Sequence, residues 1–311
     1  VLTVAAVSRA DTLWAAAGHR LGIGQSAVGF ETRELLPTAT GFQDVELTEL
    51  GHLSRLGGLL VDGPEVGLWR APTDNDFGMA MRSRGQVADE EQWRSANLAH
   101  LSRRTGDVTR SADSVTVESW TAPYSRSFGV HALLRWSPVV RGVGLTADLE
   151  PYGEWTCPWA RCGLDWTLPG MGLDTVVTWQ GRGPGRGGAD VGQATRWGWF
   201  SGKVADWQVP HARPQDDGLR AGVTRLSLET GDGRHLVVTS DRPVWVSLRP
   251  WTDAEVASAG HPDELPASDR LVLGINAAVH GYGTGACGPG VLEPYRLVPR
   301  PTVLSLNITI E

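Results

Sequence analysis

The sequence predicts an all-β protein, built as a large antiparallel β-sandwich with one main helix. Three observations carry this. Residues 304–310 alternate Leu304, Leu306, Ile308 and Ile310 with Ser305, Asn307 and Thr309, the period of a half-buried antiparallel strand. Short β-like runs recur between turn residues, in a chain of 311 residues with 39 glycines and 19 prolines. Helical periodicity surfaces in one stretch, residues 88–101.

Taken in order, residues 1–7 read as a strand. Residues 29–69 carry short β-like signals broken by Pro37, Gly41, Gly51, Gly57-Gly58 and Gly63-Pro64, with Val45-Glu46-Leu47-Thr48 alternating. In 88–101, Trp93, Ala96 and Leu101 make a partial apolar stripe with Asn97 interposed. Asp89, Glu90 and Glu91 stand in the first turn, where the helix dipole favours acid. Strand signals then return at 114–118, 144–149, 223–228, 236–239 and 244–248 before the terminal run. No internal repeat is visible. Many strands and one modest helix argue for a sandwich spanning residues 25–311.

Composition narrows the function classes. With 41% hydrophobic residues the chain can bury a sizeable core. A formal net charge of −7 argues against a nucleic-acid surface. No apolar run approaches a membrane span, and no leader is read at the start, so the expected location is cytoplasmic. The chain opens in a strand-like run without methionine, and is read as a fragment or an excised domain. Cys157, Cys162 and Cys287 are an odd, sparse set that fits a reducing compartment, and their spacing with the histidines argues against zinc. Seven of the 14 tryptophans lie between 155 and 207, where they serve either inter-sheet packing or a sugar platform.

The most ordered stretch is Leu68-Trp69-Arg70-Ala71-Pro72-Thr73-Asp74-Asn75-Asp76-Phe77-Gly78. An apolar run ends in Trp-Arg. Pro72 fixes one φ and pushes Ala71 towards extended geometry. Thr-Asp-Asn-Asp are short polar side chains that bond to nearby backbone and build turns. Gly78 is free to take positive φ and opens a loop to about residue 87.

This order resembles a segment of the C-terminal domain of the large β-galactosidases of glycoside hydrolase family 2. Further matches follow in chain order: Gly181-Arg182-Gly183-Pro184, the run from Val209-Pro210-His211 to Gln215-Asp216-Asp217-Gly218, and His280-Gly281-Tyr282-Gly283 through Pro289 to Tyr295-Arg296-Leu297. The resemblance implies a galactose mutarotase-like supersandwich over 25–311, with 1–24 as the tail of a preceding immunoglobulin-like domain. It also implies part of an enzyme that cleaves terminal β-galactosides with retention.

Retention needs two carboxyl groups about 5 Å apart. The sequence pairs Asp74/Asp76 and Asp216/Asp217 sit in turn contexts, where Asp usually caps backbone N–H groups. In the family the catalytic glutamates lie on a preceding barrel, so no catalytic residue, metal ligand or cofactor is expected in this chain, Mg2+ being expected in the barrel. The resemblance makes this chain a wall and a mobile loop of the sugar site, with Asp74, Asn75, Asp76, Gly78, Arg82 and Cys287 as the expected substrate-bordering residues. The expected partners are a β-galactoside and the barrel domain or large chain, within an oligomeric full-length enzyme. Two departures stand out. Residues 283–289 lack the tryptophan that the family lays against the sugar, and Arg186 and Gly188 replace a Glu and a Tyr while Asp190 is kept. Two other readings remain: a stand-alone carbohydrate-binding sandwich using the tryptophans, and an aldose epimerase using His211 or His280.

Overall fold

A computed structural model describes residues 1–26, 36 and 38–311. They fall into two compact units, residues 1–33 and 34–311. In the first, β1 (Leu2–Val7) and β2 (Arg20–Ser26) form an antiparallel hairpin with Leu2 opposite Ser26. Strand β2 runs through residue 24, where the sequence placed a domain boundary. The signals read for residues 29–35, and the break at Pro37, lie outside the described residues.

Among its described residues the second unit holds fourteen strands: β3 (Val45–Leu47), β4 (Leu53–Leu56), β5 (Leu59–Gly67), β6 (Leu101–Arg110), β7 (Val115–Pro123), β8 (Gly129–Val139), β9 (Gly142–Tyr152), β10 (Arg161–Pro169), β11 (Val176–Gly183), β12 (Arg196–Lys203), β13 (Arg220–Glu229), β14 (His235–Arg249), β15 (Arg270–Val279) and β16 (Thr302–Ile310). All belong to one antiparallel sheet, whose main path is β3-β4-β5-β10-β15-β14-β16-β9-β8-β7-β6. Strands β13, β11 and β12 branch off β14 in that order.

The sheet curls until its two ends meet. The indole of Trp136 in β8 donates to the carbonyl of Gly51, in the β3–β4 turn, at 2.9 Å. A Cβ on Gly51 would lie 2.1 Å from Val117 of β7, so only glycine fits there. One core fills the interior, with Trp136, Trp159, Trp207, Leu134, Leu145 and Leu149 fully buried. Each such side chain stabilises the fold by about 1.5–3 kcal/mol, which is why the alternating residues hold their register.

Strand β14 changes partner along its length. Its first half pairs with β16, Leu236 to Ser240 opposite Ile310 to Leu306, and its second half pairs with β15, Trp245 to Arg249 opposite Asn276 to Val272. The sequence reads these halves as two strands, because Asp241, Arg242 and Pro243 interrupt the apolar pattern where β14 changes partner. Strand β16 differs from its reading in the other direction. Leu304, Leu306 and Ile308 point into the core as expected, but Asn307 and Thr309 are buried as well. The strand is flanked along its edges by β14 and β9, and both faces of its second half are buried, Ile308 on one and Asn307 and Thr309 on the other.

The helix expected over 88–101 is α3 (Asp89–Ser95), with its acids in the first turn as read. Trp93 is its buried anchor, and the indole donates to Pro158 O at 3.0 Å. Asn97 takes φ 60° and ends it, so Leu101 belongs to β6 instead. The other α-helical pieces are short: α1 (Asp74–Phe77), α2 (Met79–Arg82) and α4 (Asp253–Ser258). Helix α2 sits inside the stretch read as loop from Gly78 onwards.

Candidate functional site

The 68–78 stretch forms the corner the sequence describes. Thr73 caps α1, and Asp76 reaches back, its Oδ2 accepting from the Thr73 amide and hydroxyl at 2.7 Å each. Gly78 closes the helix in the left-handed region, φ 59°. A Cβ there would lie 2.9 Å from the Ala88 side chain, a second reason for glycine.

Beneath the corner runs a chain of alternating buried charges. The Arg70 guanidinium forks onto Asp76 at 2.6 and 3.0 Å, lies between the rings of Trp93 and Tyr282, and points Nε towards Asp216 at 3.9 Å. Asp216 accepts from Arg249 Nη1 at 3.0 Å and from the Tyr282 hydroxyl at 2.8 Å. Arg249 also binds Asp253, whose other oxygen accepts from Arg161 at 3.0 Å, and Arg161 reaches Asp165. Burial alone would lower the pKa of Arg70, but Asp76 and Asp216 outweigh it and raise it. Burial likewise pushes the Asp253 carboxyl up, but Arg249 and Arg161 hold it below its ordinary value. Burial and the adjacent Asp216 charge keep the Tyr282 hydroxyl protonated well above its usual range.

The residues expected at the site come together in part. Asp74 is exposed and accepts from Arg213 Nη2 at 2.7 Å and from Gln215 Nε2 at 3.3 Å. The Arg213 hydrogen bond holds its carboxyl below the usual carboxylate range. Asn75 donates to Gly283 O at 3.0 Å and accepts from Ala286 N at 3.2 Å, so the Cys287 loop packs directly on the Asp74 corner. Cys287 itself is exposed, whereas burial pushes the Cys157 thiol up to about 12 and the Cys162 thiol up to about 11. Arg82 turns away from the loop and pairs with Glu90 at 2.9 Å.

The two carboxylate pairs do not face each other as working pairs. Asp216 enters the buried charge chain, while Asp217 accepts from Arg186 at 3.1 Å and from the Val209 amide at 2.9 Å. The departures from the family pattern have a place here. Arg186 lies over the Tyr282 ring, and Gly188 leaves room for that ring, since a Cβ there would be 2.7 Å from it. His211 sits 3.5 Å from Asp217, and the fully buried His280 sits 3.3 Å from Asp89 while accepting from the Leu297 amide at 3.0 Å. Among the described residues no group of three or more His, Cys, Asp or Glu is placed to hold a metal ion.

Of the seven clustered tryptophans, Trp159, Trp166, Trp179 and Trp207 are buried, Trp155 and Trp197 are half-buried, and Trp199 is exposed. The cluster is therefore mainly packing. Sequence reasoning noted Asp190 as a kept position but did not single out Arg213, Gln215 or Tyr282. Their signal was present, since all three stand in the later stretches that match the family.

A profile of the family described as beta galactosidase small chain matches residues 44–310. The chain belongs to the β-galactosidase small chain family. Among its relatives, the β-galactosidase of Arthrobacter sp. strain B7 is 33% identical over 99% of this chain and 33% of that protein. The β-galactosidase of Vibrio vulnificus strain YJ016 is 28% identical over 93% of this chain and 30% of its own length. The chain thus spans about a third of the relatives it matches. A galactose mutarotase-like protein from Lactobacillus casei overlaps 66% of this chain and 72% of its own, at 9% identity and a TM-score of 0.37. No helix among the described residues is long and apolar enough to cross a membrane.

Proposed function

We infer that this chain is the C-terminal part of a retaining, cytoplasmic β-galactosidase that hydrolyses terminal β-galactosides, and that it supplies a wall and a loop of the sugar site rather than the reacting carboxyls. The observation that carries this is the state of its carboxylates. A retaining glycosidase needs two carboxyl groups about 5–5.5 Å apart, one of them an acid with a raised pKa. Asp74, Asp76, Asp216 and Asp217 are each tied to an arginine, and Asp74 is held low rather than raised.

In this reading Asp74 and Cys287 are the side chains that reach the sugar. Asn75, Asp76 and Gly78 give the wall its shape, and Arg82 sets the neighbouring helix. The reacting groups and any Mg2+ come from a barrel domain or large chain, and the assembled enzyme is an oligomer. Residues 1–24 are the end of a preceding immunoglobulin-like domain. The test is to incubate the purified chain with a nitrophenyl β-galactoside. No turnover is expected. Turnover that one Asp or Glu substitution within the chain abolishes would overturn the reading.

A further inference from the structure

The two segments that border the corner, residues 73–82 and 282–290, are locked by contacts from two directions. From one side, the Asn75 side chain donates to Gly283 O and accepts from Ala286 N, while Ala80 N donates to Gly285 O at 3.1 Å. From the other side, Asp190 accepts two consecutive amides, Tyr282 N at 2.8 Å and Gly283 N at 2.7 Å. Two successive N–H groups converging on one carboxylate form an anion nest, which fixes the backbone conformation around it.

The contact between the segments is also tight. A Cβ on Gly285 would lie 2.5 Å from Asn75 O, and one on Gly290 would lie 2.7 Å from the Met81 side chain. Tyr282 is held a third way, by its hydroxyl on Asp216. The carbonyl and amide groups of the Asn75 side chain each have a backbone partner already.

We propose that Asn75 and Asp190 are positioning residues that make the α1–α2 turn and the 282–290 loop one unit, so that neither moves without the other. This rests on the reading of the corner as a wall of the galactoside site, and it assigns Asn75 to holding that wall rather than to a sugar hydroxyl. The groups the wall leaves open are then Met79, which is 76% exposed, the Asp74 carboxylate and the Cys287 thiol.

The test uses this chain alone. Amide hydrogen exchange is followed at Gly283 and Ala286, and a nitroxide attached to Cys287 reports loop motion by its spectral line width. Asn75→Ala removes a contact to Ala286 N but none to Gly283 N, and Asp190→Ala does the reverse. If the segments are one unit, each substitution speeds exchange at both amides by about tenfold or more and narrows the nitroxide lines, since local opening is then shared. Asp190→Asn, which keeps one acceptor oxygen, serves should Asp190→Ala not fold. Exchange that rises only at the amide each substitution frees, or at neither, would overturn the proposal.

In the assembled enzyme both substitutions should raise KM for a nitrophenyl galactoside several-fold with kcat retained, as loss of uniform binding does. An equal fall in kcat with KM unchanged would contradict the positioning role. Absence of any galactosidase activity in the assembly would instead count against the wall reading, and the exchange result would stand by itself.

Discussion

Replacing Asp76 by Asn removes the anion at the end of the buried charge chain and leaves the rest in place. Asp76 is 1% exposed and Arg70 is 4% exposed, and they are joined by two hydrogen bonds at 2.6 and 3.0 Å. The nearest other anion to Arg70 is Asp216, at 3.9 Å from Nε. Breaking such a pair by removing one partner costs about 3–5 kcal/mol, because the other charge stays buried without full compensation. Loss of the carboxylate that accepts from the Thr73 amide and hydroxyl adds about 0.5–2 kcal/mol for the weakened cap. A domain is stable by only about 5–15 kcal/mol, so the change should be large. Asp148→Asn is the comparison, since the Arg135–Asp148 pair is solvent-exposed and worth about 0–1 kcal/mol. The assay is urea unfolding of both variants beside the parent, read as the shift in midpoint at constant slope. The double change Arg70→Met, Asp76→Leu should recover part of the loss, because an apolar pair leaves no stranded charge. An Asp76→Asn shift no larger than that of Asp148→Asn would refute the idea that this chain of charges holds the corner.

Asp253 titrates below its ordinary 3.8 in the folded chain, so its contribution is fully present above that value and is lost as pH falls through the folded pKa. The urea midpoint should therefore drop steeply below about pH 4, and Asp253→Asn should flatten that drop while lowering stability at neutral pH. A thiol reagent should label one site per native chain, Cys287, with Cys157 and Cys162 reacting only on unfolding; Cys287→Ser should abolish the native reaction. Gly78→Ala should destabilise the chain by about 1–2 kcal/mol, because a side chain is strained at φ 59° and its Cβ meets Ala88.

Much of the fold was legible because it is written locally. Leu304, Leu306 and Ile308 alternate in sequence and face the core in β16. The Thr-Asp-Asn-Asp corner was legible for the same reason, since Thr73 and Asp76 are three residues apart and cap one another. What was not legible depends on distant partners. The burial of Asn307 and Thr309 needs distant parts of the chain to cover the other face of β16, which no pattern within the strand reveals. Arg70 meets Asp216 and Asn75 meets Gly283 over about half and two thirds of the chain, and no periodicity links such residues. The helix was read too long because Leu101 matches its stripe, although Asn97 turns the chain out of the helix before it.

The measurement that tests the central claim most directly is a galactoside titration monitored at the amides of residues 283–286. It is made on this chain alone and on the chain joined to a barrel-bearing β-galactosidase segment. The account predicts no saturable binding by the chain alone, and binding with shifted 283–286 signals in the assembly. Saturable galactoside binding by the isolated chain, or binding in the assembly that leaves those signals unmoved, would contradict it.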